Sequence, residues 1–411
     1  MKTRLTLLML FAVYLSYGQL SGCTDPLSNN YNPAATVNDG SCTYANASVA
    51  PVASVALPQA IEETSGLFMW DGYLYTHNDN TDTSLYKLDS TTGQILQTIA
   101  ITGVTNIDWE EAAQDANYIY IGDFGNNNGG NRTNLKIIRI GKQQIANSAI
   151  QPEYINFTYS NQTSFASTGG NNSDFDCEAF VVTQDSLYLF TKQWVSKKTS
   201  VYALPKTPGN YVAQLQDTYN VSGLITGAAY LEDRRVIVLT GYSGTVQPFM
   251  YLLYGFNGHN FFSGNKRKLN VSLSFHQAEG ITTANGTDYF VTNEKLSQFV
   301  ISVAQKLHHF NLAPYLQGYL SNLPALNTPE EELQDSIRIY PNPAGDVLYI
   351  DCDINMVGMG CYFIDMTGKM VLRGALLSTH NELDISSIAD GLYSLRIGDG
   401  YNFAFKLIKK R

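Results

Sequence analysis

Three glutamates recur at matching places in this 411-residue chain, in Asp108-Trp109-Glu110, Asp176-Cys177-Glu178 and Gln277-Ala278-Glu279. Two of them follow an aspartate by one intervening residue. Carboxylates gathered at one point repel unless some keep their protons or a cation joins them. A hard, oxygen-preferring cation, Ca2+ above all, suits such a set. The expected metal ligands are therefore Asp108, Glu110, Asp176, Glu178 and Glu279. A second reading has the same carboxylates accept turn amides and lock neighbouring strands together.

Another polar group closes the Tyr-rich runs, in His77-Asn78-Asp79, Asp123 with Asn126, Lys192, and Asn293-Glu294. From it, His77, Asp79, Asp123, Asn126, Asn293 and Glu294, together with His276, are the expected ligand mouth. His276 lies beside Glu279 and offers a general base, against the plainer reading of a structural histidine. No Gly-x-Ser-x-Gly elbow, His-Glu-x-x-His pair or phosphate loop accompanies them. No catalytic residue is named on sequence grounds.

The five cysteines suggest two disulfides, Cys23 with Cys42 and Cys352 with Cys361, and leave Cys177 as a buried thiol. Cys23 also ends a lipobox-like Leu20-Ser21-Gly22-Cys23, which offers lipidation as its alternative. The segment from Cys23 to Cys42 resembles a thrombospondin type 3-like unit. That resemblance implies Ca2+ on Asp25, Asn30, Asn32, Asn38 and Asp39; the alternative is a disulfide-tied spacer without metal. Lys266-Arg267-Lys268 reads as a solvated turn.

Elements that could position the glutamates emerge from a repeat. An acidic or small-residue turn, an apolar strand, a Tyr-rich strand and two further strands recur near residues 65, 110, 178, 228 and 279, a period of roughly 50 with one longer insertion. Ser65 and Ala228 take the glutamate position in the first and fourth units. Phe299–Val303 is the expected third strand of the fifth, and Ser54-Val55-Ala56-Leu57 would complete that unit. Four short strands per repeat predict an all-β fold, a β-propeller of five blades with a sixth left open. Asp-x-Glu, Glu-Gly-Ile and Gly-Asp-x-Gly-Asn elements resemble the NHL, SdiA-regulated and esterase-like-phytase propellers, which share no single activity.

The two ends address the chain for export. Lys2 and Arg4 followed by the apolar run Leu5–Leu15 form a secretory signal, expected over 1–18. The disulfide module follows over 19–49, the propeller over 50–320 and a linker over 321–335. Residues 336–411 hold short β runs with Tyr340-Pro341-Asn342-Pro343, Gly368-Lys369 and Gly391-Leu392-Tyr393. This segment resembles the type A C-terminal sorting domain of the type IX (Por) secretion system. The resemblance implies a small Ig-like β-sandwich read by the secretion machinery, and a secreted or surface-attached product.

Composition narrows the function. A net charge of −10 with 15% charged residues lacks the basic footprint nucleic-acid binding needs. No run after Leu15 is long and apolar enough for a membrane helix. Two function classes follow for an expected monomer. One is a binding or adhesion module for an extracellular glycan, protein or small molecule. The other is a metal-dependent hydrolase of the phosphoesterase, esterase or lactonase kind, working through the central channel.

Overall fold

The computed structural model describes residues 20–146, 149–298, 301–322, 337–352, 360–366, 369–397 and 403–410. The expected signal segment, most of the expected linker and Gly368 lie outside these. Two compact units divide the chain, Met1–Ser321 and Asn322–Arg411.

The first unit is a five-bladed β-propeller. Its innermost strands are Thr64–Trp70, Trp109–Gln114, Asp176–Val182, Leu224–Leu231 and Ala278–Thr283. Each starts a four-stranded antiparallel sheet, and the five are neighbours in ring order, with the last against the first. In blades 1 to 4 the strands follow the chain from the inside outward. Blade 5 takes its outermost strand from the N-terminal side of the propeller, Ala53–Ala56, which pairs with Lys306–Asn311. The third strand of that blade is thus Lys306–Asn311; residues Ile301–Val303 instead form a side hairpin with Leu296–Gln298.

Strand burial follows from composition. Runs such as Val236–Tyr242 and Pro248–Tyr254 are buried along their whole length because they face a neighbouring blade on each side. Five apolar clusters fill the seams between blades. The seam joining blade 5 to blade 1 is the thinnest, with seven buried residues around Ile61, Leu67, Leu74 and Leu307, against ten to sixteen at the others.

Two outer edges are covered. The outermost strands of blades 2 and 3, Glu153–Tyr159 and Gly209–Tyr219, pair in parallel and merge the two sheets. On blade 4, Ala47–Val49 adds a parallel fifth strand to Asn265–Val271. That outer strand contains Lys266-Arg267-Lys268, so the expected turn is a strand. Lys266 donates to Gly40 O at 3.1 Å and Lys268 to Val221 O at 2.7 Å, giving both ammonium groups backbone partners.

The second unit is a sandwich of a three-stranded sheet, Arg338–Tyr340, Val347–Asp351 and His380–Asp384, and a four-stranded one. Leu348, Ile350, Phe363, Leu395 and Leu407 lie in its core. Asn342 of the Pro-Asn-Pro motif donates to Lys406 O and accepts from Ile408 N–H, tying the entry segment to the last strand. Cys352 and Cys361 are both buried thiols, which corrects the expected second disulfide. They share a core, and burial first, then the nearby Cys352 thiol, pushes Cys361 up to about 12. Nearness in sequence alone did not force the bond.

Candidate functional site: an acidic mouth on the propeller axis

Every innermost strand carries an irregularity in its pairing near its start. The register steps at Thr64/Leu67, opposite Gly122/Asp123, at Cys177/Ala179, at Ile225/Gly227 and at Ala278/Ile281. The residues lifted out of register include Ser65, Glu110, Glu178, Thr226 and Glu279, with Gly66 and Gly280 beside the first and last. A bulge re-aims a side chain that the two-residue strand period would otherwise send to a blade face. The fourth-blade counterpart is therefore Thr226, two residues before the expected Ala228. Ser65 Oγ donates to Glu110 O, and Thr226 Oγ to Ala278 O, so the two hydroxyl blades latch onto their neighbours' backbones.

At these bulges the ring is pinched. A Cβ on Gly66 would fall on the backbone N of Ala112, one on Gly227 on the backbone O of Glu279, and one on Gly280 on the backbone O of Ser65. Gly125 similarly leaves space for the Glu110 and Asp108 carboxylates. Glu111, which sequence reasoning passed over, crosses the pinch: its carboxylate accepts from Ala112 N–H at 3.0 Å and Ala228 N–H at 2.9 Å. Beyond it, a cavity of about 200 Å³ lies among Leu67, Phe180, Ala228, Tyr230 and Ile281.

Above the pinch, Glu110, Glu178 and Glu279 come together with Asp108 and Asp176. The cation among them is the chain's own. Lys192 Nζ lies 3.1 Å from Glu178 Oε2, with both side chains buried. Burial alone would favour loss of its proton; Glu178, Tyr242 and Glu279 outweigh that and hold the ammonium well above its ordinary value. Trp194 and Tyr242 rings stand 4.9 and 5.2 Å from it. Asp176 accepts from Asn126 N–H at 2.6 Å and Trp194 Nε1–H at 2.7 Å. Burial, together with Asp176 and Glu279, raises Glu178 well above its ordinary value against the pull of Lys192.

The remaining carboxyls are pushed toward their neutral forms. Burial, then Glu178 and Asp108, raises Glu110 well above its ordinary value. Burial with Asp176 takes Asp108 to about 6. Glu279 reaches about 7, burial outweighing the attraction of Lys192. Asp79 also reaches about 7 through burial and the Glu63 charge, and burial with Glu279 and Asp79 raises Glu294 well above the carboxylate range.

The mouth expectation divides. Asp79 and Glu294 belong to the acidic set, together with Glu63, whose role was not anticipated although Glu62-Glu63 opens the first repeat. His77 does not line a mouth: it is fully buried, edge-on to Trp109 at 5.6 Å, with burial lowering it to about 4. Strand alternation turns it into the seam between blades 1 and 2. Asp123 is buried between Arg132 at 2.7 Å and Lys136 at 2.6 Å. Asn126 and Asn293 donate to backbone carbonyls, of Phe175 and Ala304 among others. His276 is bonded to Ser274 O and its ring meets His308, at 5.5 Å, rather than a carboxylate. Cys177 is buried, its thiol facing carbonyls of its own sheet and raised by burial.

Among the described residues, one trio of potential ligands has oxygens all within 4.8 Å of one another: Glu63, Asp79 and Glu294. The five expected axial ligands form no such trio. Cys23 and Cys42 are bonded as expected, but Asn32, Asn38 and Asp39 cap their own turns. Asn30 holds Thr43, and Asp25 accepts from Tyr44 and Tyr254.

Among solved structures, the chain is similar to PorZ, titled an essential bacterial surface component of the type-IX secretion system of Porphyromonas gingivalis, at 11% identity and a TM-score of 0.29. The match covers 85% of this chain and 45% of PorZ, so the chain spans under half of that protein. An exo-beta-1,3-galactanase from Phanerochaete chrysosporium matches at 10% identity and a TM-score of 0.40, over 89% of this chain and 99% of the enzyme. Likeness at these levels carries no functional weight. None of the curated proteins compared with the chain matches it. Residues 338–410 match the secretion system C-terminal sorting domain, and with that domain the chain is a substrate of type IX secretion, exported to the cell surface or beyond.

Proposed function

We infer that the exported propeller is a binding protein whose ligand presents a cationic group to the axial mouth. One observation carries this reading. Eight carboxyl groups, Glu63, Asp79, Asp108, Glu110, Asp176, Glu178, Glu279 and Glu294, act on one another there around the single buried ammonium of Lys192. A positive charge entering there would draw protons off these raised carboxyls and be held by the charges it frees. The loops at that end add exposed Ile107, Val195 and Phe275. Phe275 and Val246 hold φ of 62° and 52°, in the left-handed region that bulky side chains avoid, and such strain gathers at functional sites. A basic peptide segment with apolar flanks satisfies both features. Fluorescence anisotropy with Lys-rich and Glu-rich peptides tests this. Salt-sensitive binding of the basic peptide, weakened at least tenfold in Glu178→Gln/Glu279→Gln, is expected; equal binding of both peptides, or of neither, refutes it.

A second reading, a hydrolase, draws on Asp79 and Glu279 near 7, where a carboxylate serves as a general base at neutral pH. Turnover of ester, phosphoester or lactone substrates that Glu279→Gln abolishes would favour it over simple binding.

A further inference from the structure

The flank of the propeller between blades 3 and 4 carries a recess built on outer strands, away from the innermost ones that form the mouth. In blade 3 the third strand is Thr199–Pro205 and the outermost Gly209–Tyr219. Their pairing steps from Val201 opposite Asp217 to Tyr202 opposite Leu215, so Gln216 is an extra residue on the outer strand. A bulge of this kind re-aims the side chains around it. The facing wall is the connection between Pro248–Tyr254 and Asn265–Val271 of blade 4, ten residues long, where a hairpin needs about two to five. The extra length lets Phe256, Phe261 and Phe262 fold inward and join the apolar seam between the two blades. Its polar tip is braced as well. Asn257 N–H donates to Ser263 Oγ at 3.0 Å, Ser263 Oγ to Asn260 O at 2.7 Å, and Asn260 N–H to Asn257 O at 3.0 Å. The His259 ring rests 4.9 Å from that of Tyr188 and 6.0 Å from that of Phe261, with its side chain still 39% exposed.

Between these walls lies a cavity of about 320 Å³, with buried Val201, Phe261 and Phe262 as its floor and exposed Gln216, Asp217, His259 and Asn260 as its rim. The rim keeps hydrogen-bonding capacity that the fold does not use. Asp217 Oδ1 accepts from Thr218 N–H at 2.7 Å, while its Oδ2 has no partner among the described residues. Gln216 spends Nε2 on Gln214 O at 2.9 Å and leaves Oε1 open. The Asn260 amide bonds to none of the described residues, and His259 stands 3.8 Å from Glu232, beyond hydrogen-bond length. In the disulfide module, by contrast, Asn32, Asn38 and Asp39 spend such groups on their own turns. This combination selects the chemistry of a ligand. Asp217 and Glu232 repel an anion. A purely apolar molecule would strand the rim groups, and a bare ammonium would leave the amides and the floor idle. A sugar ring meets both walls, with hydroxyls that donate and accept at its edge and apolar C–H faces. A carboxylate accepts from two neighbouring hydroxyls, and amides do both. The volume sits at the small end of ligand sites, roughly 300–1,000 Å³.

We propose that this recess binds one residue of an uncharged saccharide, with Gln216, Asp217, His259 and Asn260 around its hydroxyls and the apolar floor beneath its ring. The site is independent of the basic-ligand reading above, because no group of the axial mouth enters it. Saturation-transfer NMR on the purified chain tests it, with the methyl glycosides of glucose, galactose, mannose and N-acetylglucosamine as probes. At least one should bind with a Kd on the order of 1 mM, the scale open to so small a ligand, and receive saturation at its ring C–H protons. Asp217→Asn, which removes a charged acceptor, should weaken binding at least tenfold, and His259→Ala should weaken it as well. Glu178→Gln/Glu279→Gln should leave it within twofold. The rim side chains are exposed, so both rim variants are expected to fold, which circular dichroism confirms. No transfer to any of the glycosides at about tenfold the expected Kd overturns the proposal. So does binding unchanged in both Asp217→Asn and His259→Ala, or binding lost only in Glu178→Gln/Glu279→Gln, which would put the sugar at the axis. Failure of the basic peptide to bind, with glycoside binding intact, would count against the ligand reading alone.

Discussion

Lys192 decides the chemistry of the mouth at the scale of single residues. It is buried at the end of a strand, between Glu178 and the rings of Trp194 and Tyr242. Without it, Glu178, Asp176 and Glu279 would lose their shared counter-charge in a poorly solvated place. Removing one partner of a buried ion pair typically costs about 3–5 kcal/mol. Lys192→Met should therefore lower urea-unfolding stability by about that much, and Glu178→Gln in the same chain should recover part of the loss. A loss under about 1 kcal/mol would mean the carboxyls neutralise themselves by protonation and the ammonium is incidental. Glu111 plays a different part. Its carboxylate accepts backbone amides from blades 2 and 4 and serves the pinch rather than the mouth.

Among elements, Ala53–Ala56 matters most, because a ring built from consecutive strands needs one strand from the far end to shut it. His308 on the partner strand bonds Ser54 Oγ at 2.7 Å and Asn293 Oδ1 at 2.8 Å, so a polar relay runs through the closing blade. The disulfide module and Ala47–Val49 instead cover the edge of blade 4. These contributions separate by truncation. A chain beginning at Pro51 should give a cooperative thermal transition at reduced temperature. One beginning at Pro58 should leave blade 5 with an open edge and aggregate or melt without cooperativity. Equal melting of the two chains would show that the closing strand is dispensable.

For the whole molecule, the mouth ties stability to pH. In chelator, Asp108, Asp79 and Glu279 titrate at about 6, 7 and 7 in the folded state, above the roughly 4 of an unfolded carboxyl. Their raised values add stability that is full below the unfolded value and lost as pH rises through 6–7. His77 and His308, lowered by burial to about 4 and about 3, act oppositely: their contribution is present above the ordinary histidine value and lost as pH falls toward the folded ones. Calorimetric melting in chelator should thus peak at roughly pH 5–6 and decline toward pH 8. A melting temperature that climbs steadily from pH 6 to 8 would contradict this balance.

Periodicity made the architecture legible without coordinates. Tyr73–Tyr75, Tyr118–Tyr120 and Tyr188–Leu189 mark second strands that recur along the chain, with one longer insertion between the latter two, and a strand pattern needs only local alternation to be recognised. The Pro-Asn-Pro entry and later turn motifs of the sorting domain were legible for the same reason. The closing role of Ser54–Leu57 followed from counting strands. Tertiary structure decided everything that depends on a one-residue step. Bulges shift the parity of the innermost strands, so Thr226 rather than Ala228 joins the glutamates, and Glu111 leaves the mouth for the pinch. Alternation buries His77 against Trp109, while turns far apart in sequence bring Glu63 to Asp79 and Glu294. Strand periods are local, but which carboxylates share a point in space depends on how five sheets close around one axis.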